Sequence, residues 1–163
     1  MDGPGKTAIV VIWADEAARQ VQMRWGLKPV AGGRPIALLR AENRQITRRC
    51  LIVMNELFLR PGTGGGKERR SVEPAGNGAF FCCAGSWEPE SDQWPAAFAG
   101  ITVEAYPDIA PYQDRHMAIV RETDWQSWLT GAPAEEILRP WPAGSLRITG
   151  GKDRASGDLF EGL

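Results

Sequence analysis

The segment from Leu38 to Leu59 constrains the fold more than any other part of this sequence. Its second half, Leu51 to Leu59, reads LIVMNELFL and opens with residues that favour β structure. A run that is apolar on both sides of a strand has to be buried on both sides, so it predicts a strand inside the core. The other elements must therefore be built around this strand.

The first half of the same segment, LLRAENRQITRR, is basic. If it is helical, Arg40, Arg44 and Arg48 are spaced at i, i+4 and i+8 and lie along one face, with Arg49 beside them. Such a stripe of guanidinium groups favours the binding of an anion. The alternative is an ordinary solvated face, because surface arginines are common.

Composition limits the class of protein. The chain has 163 residues, 43% of them hydrophobic and 24% charged, which is enough for one globular domain with a single core. A formal net charge of −1 excludes a wholly basic nucleic-acid coat, so any contact with DNA or RNA must come from a local patch. Arginine is far more frequent than lysine, which favours planar, bidentate contacts with anions.

The three cysteines, Cys50, Cys82 and Cys83, lie in apolar runs without the spacing of a metal site. They predict reduced thiols in the core of a cytoplasmic protein, and we expect no metal or other cofactor. No apolar run reaches the roughly 18 residues of a membrane span. The sequence also lacks the pattern of a signal peptide, so we expect no membrane partner.

The segment RPGTGGGKERR after Leu59 resembles a phosphate-binding loop, since Gly66 and Lys67 stand in the right order. Pro61 occupies the place of the first glycine, and Glu68 stands where a Ser or Thr is needed. The segment therefore predicts a flexible hairpin tip instead.

Apolar runs bounded by glycine, proline or polar residues predict the remaining strands. They cover Thr7–Trp13, Val21–Leu27, Gly78–Trp87, Ala96–Glu104 and Ser145–Thr149. The first two are close enough in sequence to form a hairpin, and the next two pair most simply as neighbours.

The residues after Thr123 carry the clearest helix signal. Thr123 and Gln126 form a capping-box pattern, and Trp125, Trp128 and the leucine that follows provide an apolar face. Pro133 predicts the start of a second short helix over 134–138. Several strands with short helices grouped around them predict an α+β fold, with a largely antiparallel β core like a sandwich or an open barrel.

Seven short blocks of the sequence stand in a recognisable order. They are MRWGL at 23–27, LRAEN at 39–43, RRCLI at 48–52, FFCCAGSWE at 80–88, AGITVEA at 99–105, APYQDR at 110–115 and WQSWL at 125–129. In this order they resemble the SOS-response-associated peptidase (SRAP) family over most of the chain. We therefore expect one SRAP-like domain over residues 1–149, followed by a polar tail over 150–163.

The resemblance implies a role in the response to DNA damage. Members of the family bind single-stranded DNA in a basic groove and capture abasic sites as a DNA-protein crosslink. The α-amine of an N-terminal cysteine condenses with the sugar aldehyde, and the thiol closes a thiazolidine ring. An α-amine with a pKa of about 8 is partly neutral at pH 7, so it can act as the nucleophile. An asparagine, a glutamate and a histidine orient these groups and transfer protons.

The residues that the family uses for this chemistry are not found at the matching positions. Residue 2 is Asp2 rather than cysteine, and the asparagine, glutamate and histidine are replaced by Leu38, Leu59 and Gln113. Leucine has no donor or acceptor, and glutamine can form a hydrogen bond but cannot titrate. His116 lies nearby in the sequence, but a lone histidine more often packs or faces solvent than catalyses. The resemblance thus implies a member without an intact catalytic site.

The positions for DNA contact are better retained. The resemblance assigns contacts with single-stranded DNA to Trp25, Arg40, Arg48, Arg49 and Arg115. Arginines on phosphates give sequence-independent, salt-sensitive binding, and Trp25 beside Arg24 could stack a base. Two alternatives stay open. The arginines could pair with Glu42, Glu56 or Asp114, and a tryptophan more often belongs to the core.

Three functions remain open at this point. The chain is a monomeric protein that binds single-stranded DNA and has lost the covalent chemistry, which we favour. Alternatively, the start of the gene is misassigned, an upstream cysteine exists, and the chain is an active crosslinking enzyme with the family's peptidase and lyase character. Finally, it is a structural remnant or a protein-interaction module without either activity.

Overall fold

The computed structural model describes residues 4–43, 46–59, 70–76, 78 and 80–150. Its strands are β1 Thr7–Ala14, β2 Ala17–Trp25, β3 Leu38–Arg40, β4 Arg49–Met54, β5 Leu57–Leu59, β6 Arg70–Pro74, β7 Phe81–Glu88, β8 Ala97–Glu104, β9 Arg115–Met117, β10 Ile119–Val120 and β11 Leu146–Gly150. The helices are α1 Trp125–Leu129 and α2 Ala134–Ile137, with 3₁₀ turns at Ala41–Asn43 and Glu122–Asp124.

The chain divides into two compact units. The barrel unit consists of Met1–Met54, Phe81–Val103 and Met117–Arg139, and the small-sheet unit consists of Asn55–Phe80, Glu104–His116 and Pro140–Leu163. The boundaries of one domain over 1–149 and a tail over 150–163 stay a prediction.

The first two strands of the barrel unit form the predicted hairpin. They pair in antiparallel register from Thr7 with Arg24 to Ala14 with Ala17. Asp15 and Glu16 form the two-residue connection, and both have positive φ values of 53° and 60°. This left-handed backbone matches the twist of the flanking strands, which is why a two-residue turn can join them.

Five strands of the barrel unit pair in a closed ring. β1 pairs with β2 and β4, β4 pairs with β7, β7 pairs with β8, and β8 returns to β2. Only the β2–β8 pairing in this ring is parallel. The ring confirms an α+β fold with a largely antiparallel β core, and it also confirms β7 and β8 as neighbours. Its closure is the arrangement that a barrel requires.

Two glycines allow β8 to approach its neighbours closely. Gly85 of β7 pairs with Gly100 of β8. A Cβ atom on Gly85 would lie 2.8 Å from the Sγ atom of Cys50, and one on Gly100 would overlap the thioether of Met117. Any larger residue at these two positions would therefore push against side chains of the barrel core.

The described residues of the basic segment do not form the helix on which the stripe of arginines depended. Leu38–Arg40 is a strand, a 3₁₀ turn follows at Ala41–Asn43, and β4 begins at Arg49. Arg44 lies outside the described residues. The physical reason is tertiary: β3 pairs in parallel with β8, from Leu38 with Gly100 to Arg40 with Thr102, and this pairing outweighs local helix propensity.

The apolar run after Cys50 is confirmed as β structure, but it forms two strands rather than one. β4 ends at Met54 and belongs to the barrel unit, whereas β5 begins at Leu57 and belongs to the small-sheet unit. Polar Asn55 and Glu56 separate them. An apolar run of strand length can therefore contribute to two different sheets.

The two predicted helices of the barrel unit are present but short. Asp124 is the N-cap of α1, and no side chain caps that helix, so the capping box expected from Thr123 and Gln126 is not formed. Trp128 of α1 is fully buried, as the apolar face predicted. Its indole N–H donates a hydrogen bond of 2.8 Å to the carbonyl of Cys50, which holds α1 against β4.

The small-sheet unit contains a three-stranded antiparallel sheet in the order β5, β6, β11. Leu57, Val72 and Ile148 are register partners across it. The carboxylate of Asp108 accepts hydrogen bonds from the backbone N–H groups of Gly144 and Leu146, each at 3.0 Å, and thereby fixes the entry to β11. Residues 60–69 of the predicted hairpin tip and residues 151–163 of the predicted tail lie outside the described residues.

Candidate nucleic-acid interface

Arg40 ends β3, which is the last strand in the order of the barrel sheet. Leu38 and Arg40 are exposed, whereas Leu39 between them packs against the buried cluster of Leu27, Ala97 and Ala99. Because successive side chains of a strand point to opposite faces, this packing directs Leu38 and Arg40 to solvent on one face. Among the described residues Arg40 has no ion-pair partner, so its guanidinium group is available to an anion.

Arg48 is also exposed, but it has a partner. Its Nη1 atom donates to the Oε2 atom of Glu88 at 2.9 Å. Glu88 ends β7, and the backbone N–H of Trp87 in the same strand donates to the carbonyl of Arg48, the residue just before β4. This carboxylate is different from those that the sequence suggested. An exposed ion pair of this kind is weak, so a phosphate can compete for Arg48.

Arg49 serves the fold. Its Nη1 atom donates hydrogen bonds to the carbonyls of Trp128 at 3.1 Å and Ala132 at 2.6 Å. The guanidinium carbon lies 4.3 Å from the centroid of the Trp128 ring, which is within range of a cation–π contact. Burial lowers the pKa of Arg49, and the nearby Glu135 carboxylate opposes that shift. Arg49 therefore holds the carbonyl of Trp128 near the end of α1 and that of Ala132 just beyond it.

Trp25 belongs to the core, the alternative that the sequence left open. Only 4% of it is exposed, and its ring centroid lies 5.2 Å from that of Phe98. Its indole N–H donates to the carbonyl of Ala37 at 3.0 Å. The predicted contact of Trp25 with a base would require the ring to leave this packing.

Arg24 does not act together with Trp25. Its guanidinium carbon lies 4.7 Å from the centroid of the Trp94 ring instead. Adjacent residues of a strand face opposite sides of the sheet, so Arg24 and Trp25 cannot form one stacking site. The alternation of side chains already separates Arg24 from Trp25 at the level of sequence, but no sequence pattern identifies Trp94 as the partner of Arg24.

Arg115 and Gln113 lie in the small-sheet unit. The Nε2 atom of Gln113 donates to the carbonyl of Arg115 at 2.6 Å, so this amide serves the local backbone. Arg115 is half-buried at the start of β9. Arg40, Arg48 and Arg115 are therefore the predicted DNA contacts with a side chain outside the core.

His116 is a packed histidine. It is buried, and its Nε2 atom accepts a hydrogen bond of 3.1 Å from the backbone N–H of Tyr106. The two rings also meet edge to face, with centroids 4.2 Å apart. A nitrogen that accepts this bond has no proton of its own, so it fixes the neutral tautomer with hydrogen on Nδ1. These contacts give His116 a structural role in the small-sheet unit.

The side chains at the other two positions that the resemblance matches to catalytic residues are apolar. Leu38 is 47% exposed at the β3 edge, and Leu59 is only 1% exposed in β5. Neither side chain can accept or donate a proton.

The three thiols are buried and free of disulfide bonds. Burial is the main cause that raises the pKa of Cys82 to about 12, and it raises the pKa of Cys50 and Cys83 as well. Because the thiolate is the nucleophile, thiols that stay protonated at neutral pH are unreactive.

The described residues contain neither a metal-binding cluster nor a membrane-spanning helix. Within 4–43, 46–59, 70–76, 78 and 80–150, no group of three or more His, Cys, Asp or Glu side chains could hold a metal ion. None of the helices in that part of the chain has the length and apolar character needed to cross a bilayer.

A contact between Arg70 and the aromatic ring of Tyr112 was not predicted from the sequence. The guanidinium carbon of Arg70 lies 4.7 Å from the centroid of the Tyr112 ring. Both residues belong to the small-sheet unit, and Tyr112 is 43% exposed. The two residues are far apart in the chain, so no local pattern joins them.

The comparison with protein families gives a match over nearly the whole chain. The family described as SOS response associated peptidase (SRAP) matches residues 3–150. No curated protein matches the chain.

Solved structures show the same fold at low sequence identity. A protein from Bordetella bronchiseptica is 20% identical with a TM-score of 0.76, and the match covers 91% of this chain and 85% of that one. A protein from Bacteroides thetaiotaomicron is 17% identical with a TM-score of 0.70, covering 90% and 74%. A phage-related protein from Bordetella bronchiseptica is 18% identical with a TM-score of 0.69, covering 91% and 79%.

Proposed function

We propose that this chain, which belongs to the SOS response associated peptidase family, binds single-stranded DNA without forming a covalent bond to it. Membership of the family supports an association with DNA damage. The observation that carries the proposal is the β3 edge, where Arg40 is exposed on the same face as Leu38. Arg40 can thus bind DNA beside Leu38, the position where the family has a polar asparagine.

Arg40 and Arg48 are the phosphate contacts that we expect from the barrel unit, and Arg115 is the one that we expect from the small-sheet unit. Each cation that neutralises a phosphate releases counterions from the strand, so affinity falls as salt rises. Arg49 is engaged by carbonyl groups, and Trp25 is engaged by Phe98 and Ala37. Neither side chain is needed for the proposed binding.

We propose the absence of covalent chemistry because of the side chains at the positions that match the family's catalytic residues. Leu59 is buried, and the amide of Gln113 is hydrogen-bonded to backbone. A carboxylate and an imidazole are therefore replaced by groups that cannot move a proton. The buried thiols of Cys50, Cys82 and Cys83 offer no substitute nucleophile, because burial keeps them protonated.

The test of binding is a titration of a fluorescein-labelled single-stranded oligonucleotide at several salt concentrations. We expect the logarithm of the affinity to fall linearly with the logarithm of salt concentration, by roughly 0.7 for each phosphate contacted. Duplex DNA of the same sequence is the control. If no oligonucleotide binds at low salt, the alternative of a protein-interaction module would be favoured.

The test of chemistry is an adduct gel. The chain is incubated with single-stranded DNA that carries one abasic site, and with intact DNA as the control, and both are heated before electrophoresis. We expect free DNA in both lanes. A heat-stable shifted band in the abasic lane alone would overturn the noncovalent proposal and favour an active crosslinking enzyme.

A further inference from the structure

We propose that Tyr112 and Arg70 form a stacking platform for one base of single-stranded DNA. The inference rests on the proposed function, since it names a further contact for the same ligand. Neither residue is among the positions that the family resemblance assigns to DNA.

The geometry of the pair suits a base and its phosphate. The guanidinium carbon of Arg70 lies 4.7 Å from the ring centroid of Tyr112, so the cation covers part of the ring. The ring nevertheless remains 43% exposed. An aromatic ring accepts any base on its face, and the adjacent cation attracts the phosphate of the same nucleotide.

The ring is presented on an ordered turn. The N–H groups of Ile109 and Ala110 both donate to the carbonyl of Tyr106, at 2.9 and 2.8 Å. The N–H groups of Tyr112 and Gln113 donate to the carbonyl of Ile109, at 2.8 and 3.2 Å. Tyr106 and Ile109 are fully buried, so the turn is anchored in the small-sheet unit. The backbone that carries the ring is thus already ordered, which reduces the conformational entropy lost when a base stacks on the ring.

Phe58 provides a matched comparison in the same unit. It is 37% exposed in β5, and its register partner is Ser71, the neighbour of Arg70 in β6. Since side chains alternate along a strand, Phe58 and Arg70 face opposite sides of this small sheet. Exposure alone therefore does not place an aromatic ring beside Arg70.

The experiment measures binding of a fluorescein-labelled oligothymidine by the full chain and its variants. We expect Tyr112→Leu to weaken binding about tenfold, because leucine keeps apolar bulk but cannot stack. The salt dependence should stay unchanged, since no charge is removed. Tyr112→Trp should retain the affinity, and the control Phe58→Leu should also leave it unaltered. Unchanged affinity of Tyr112→Leu would overturn the inference.

Photocrosslinking of the unaltered chain gives a second readout that does not depend on the folding of a variant. An oligonucleotide with 5-iodouracil is bound, irradiated and digested, and the modified peptide is identified by mass spectrometry. We expect the adduct on Tyr112. Adducts only at other residues would overturn the platform while leaving DNA binding itself intact. If the unaltered chain binds no oligonucleotide, the proposed function fails, and the platform fails with it.

Discussion

Two arginines of the barrel unit illustrate how one residue type serves different purposes. Arg40 lies at the exposed end of β3, whereas Arg49 begins β4 and donates to the carbonyls of Trp128 and Ala132. The sequence placed both in a single basic segment. The comparison teaches that a guanidinium group bound to backbone carbonyls supports the fold, whereas an exposed one without an ion-pair partner is available to a ligand.

Replacing Arg49 should have the largest effect and should fall on stability. Arg49→Met keeps much of the stem but removes both hydrogen bonds and the contact with the Trp128 ring. We expect a loss of about 2–4 kcal/mol in the free energy of unfolding, because the two carbonyls lose charged donors. Urea unfolding followed by tryptophan fluorescence measures it, with Arg48→Met as the control. A loss below 1 kcal/mol would remove the structural role that we give to Arg49.

Gly100→Ala should come next, because it disturbs the support of the β3 edge. The new methyl group would overlap the Met117 thioether and lie 3.2 Å from the Cδ2 atom of Leu38. We expect a destabilisation of about 1–3 kcal/mol from overpacking. Combining it with Met117→Ala tests the cause. If the overlap is responsible, the double variant should be scarcely less stable than Met117→Ala alone, and simple additivity would contradict this explanation.

Arg40→Ala should change binding rather than stability. We expect the affinity for single-stranded DNA to fall several-fold and the salt dependence to decrease by roughly 0.7, the contribution of one phosphate contact. The free energy of unfolding should change by less than about 0.5 kcal/mol, as for other exposed positions. Arg19→Ala is the matched control, since Arg19 is an exposed arginine near the β1–β2 turn. If the unaltered chain, Arg40→Ala and Arg19→Ala show the same salt dependence, Arg40 is not part of the interface.

Glu88→Gln should have the smallest effect. It removes the ion pair with Arg48 and one negative charge, so we expect a change of less than about 1 kcal/mol in stability. Binding of single-stranded DNA should rise modestly, by about twofold, because Arg48 becomes available to phosphate. Measurement at low salt gives the best sensitivity. Weaker binding by this variant would mean that the carboxylate positions Arg48 for DNA instead of competing with it.

Local sequence patterns predicted the elements whose partners lie close in the chain. The β1–β2 hairpin follows from two apolar runs separated by a short polar connection, and β7 with β8 follows the same logic. The capping box at Thr123 failed because the α1 N-cap is Asp124, and no side chain closes that helix end. Helix start signals compete with the packing of the residues that follow, here the burial of Trp128.

The candidate site was predicted less completely than the fold. The exposed positions of Arg40 and Arg48 suit the role assigned to them. Trp25 is instead buried in the core, and Arg49 is hydrogen-bonded to α1. The Arg49 donor and its Trp128 acceptor are 79 residues apart, so their contact has no local signature. The contact of Arg70 with Tyr112 could not be predicted from the sequence for the same reason.

The sequence by itself determined the family and the β-rich core, because residue identity and the order of apolar blocks carry that information. It also determined that Leu38, Leu59 and Gln113 have no ionisable side chain. The tertiary structure decided which arginines remain for a ligand. Strand pairing between distant segments sets the face on which each side chain emerges. It leaves Arg40 exposed at the β3 edge, whereas the packing of α1 against β4 brings Arg49 to its carbonyls.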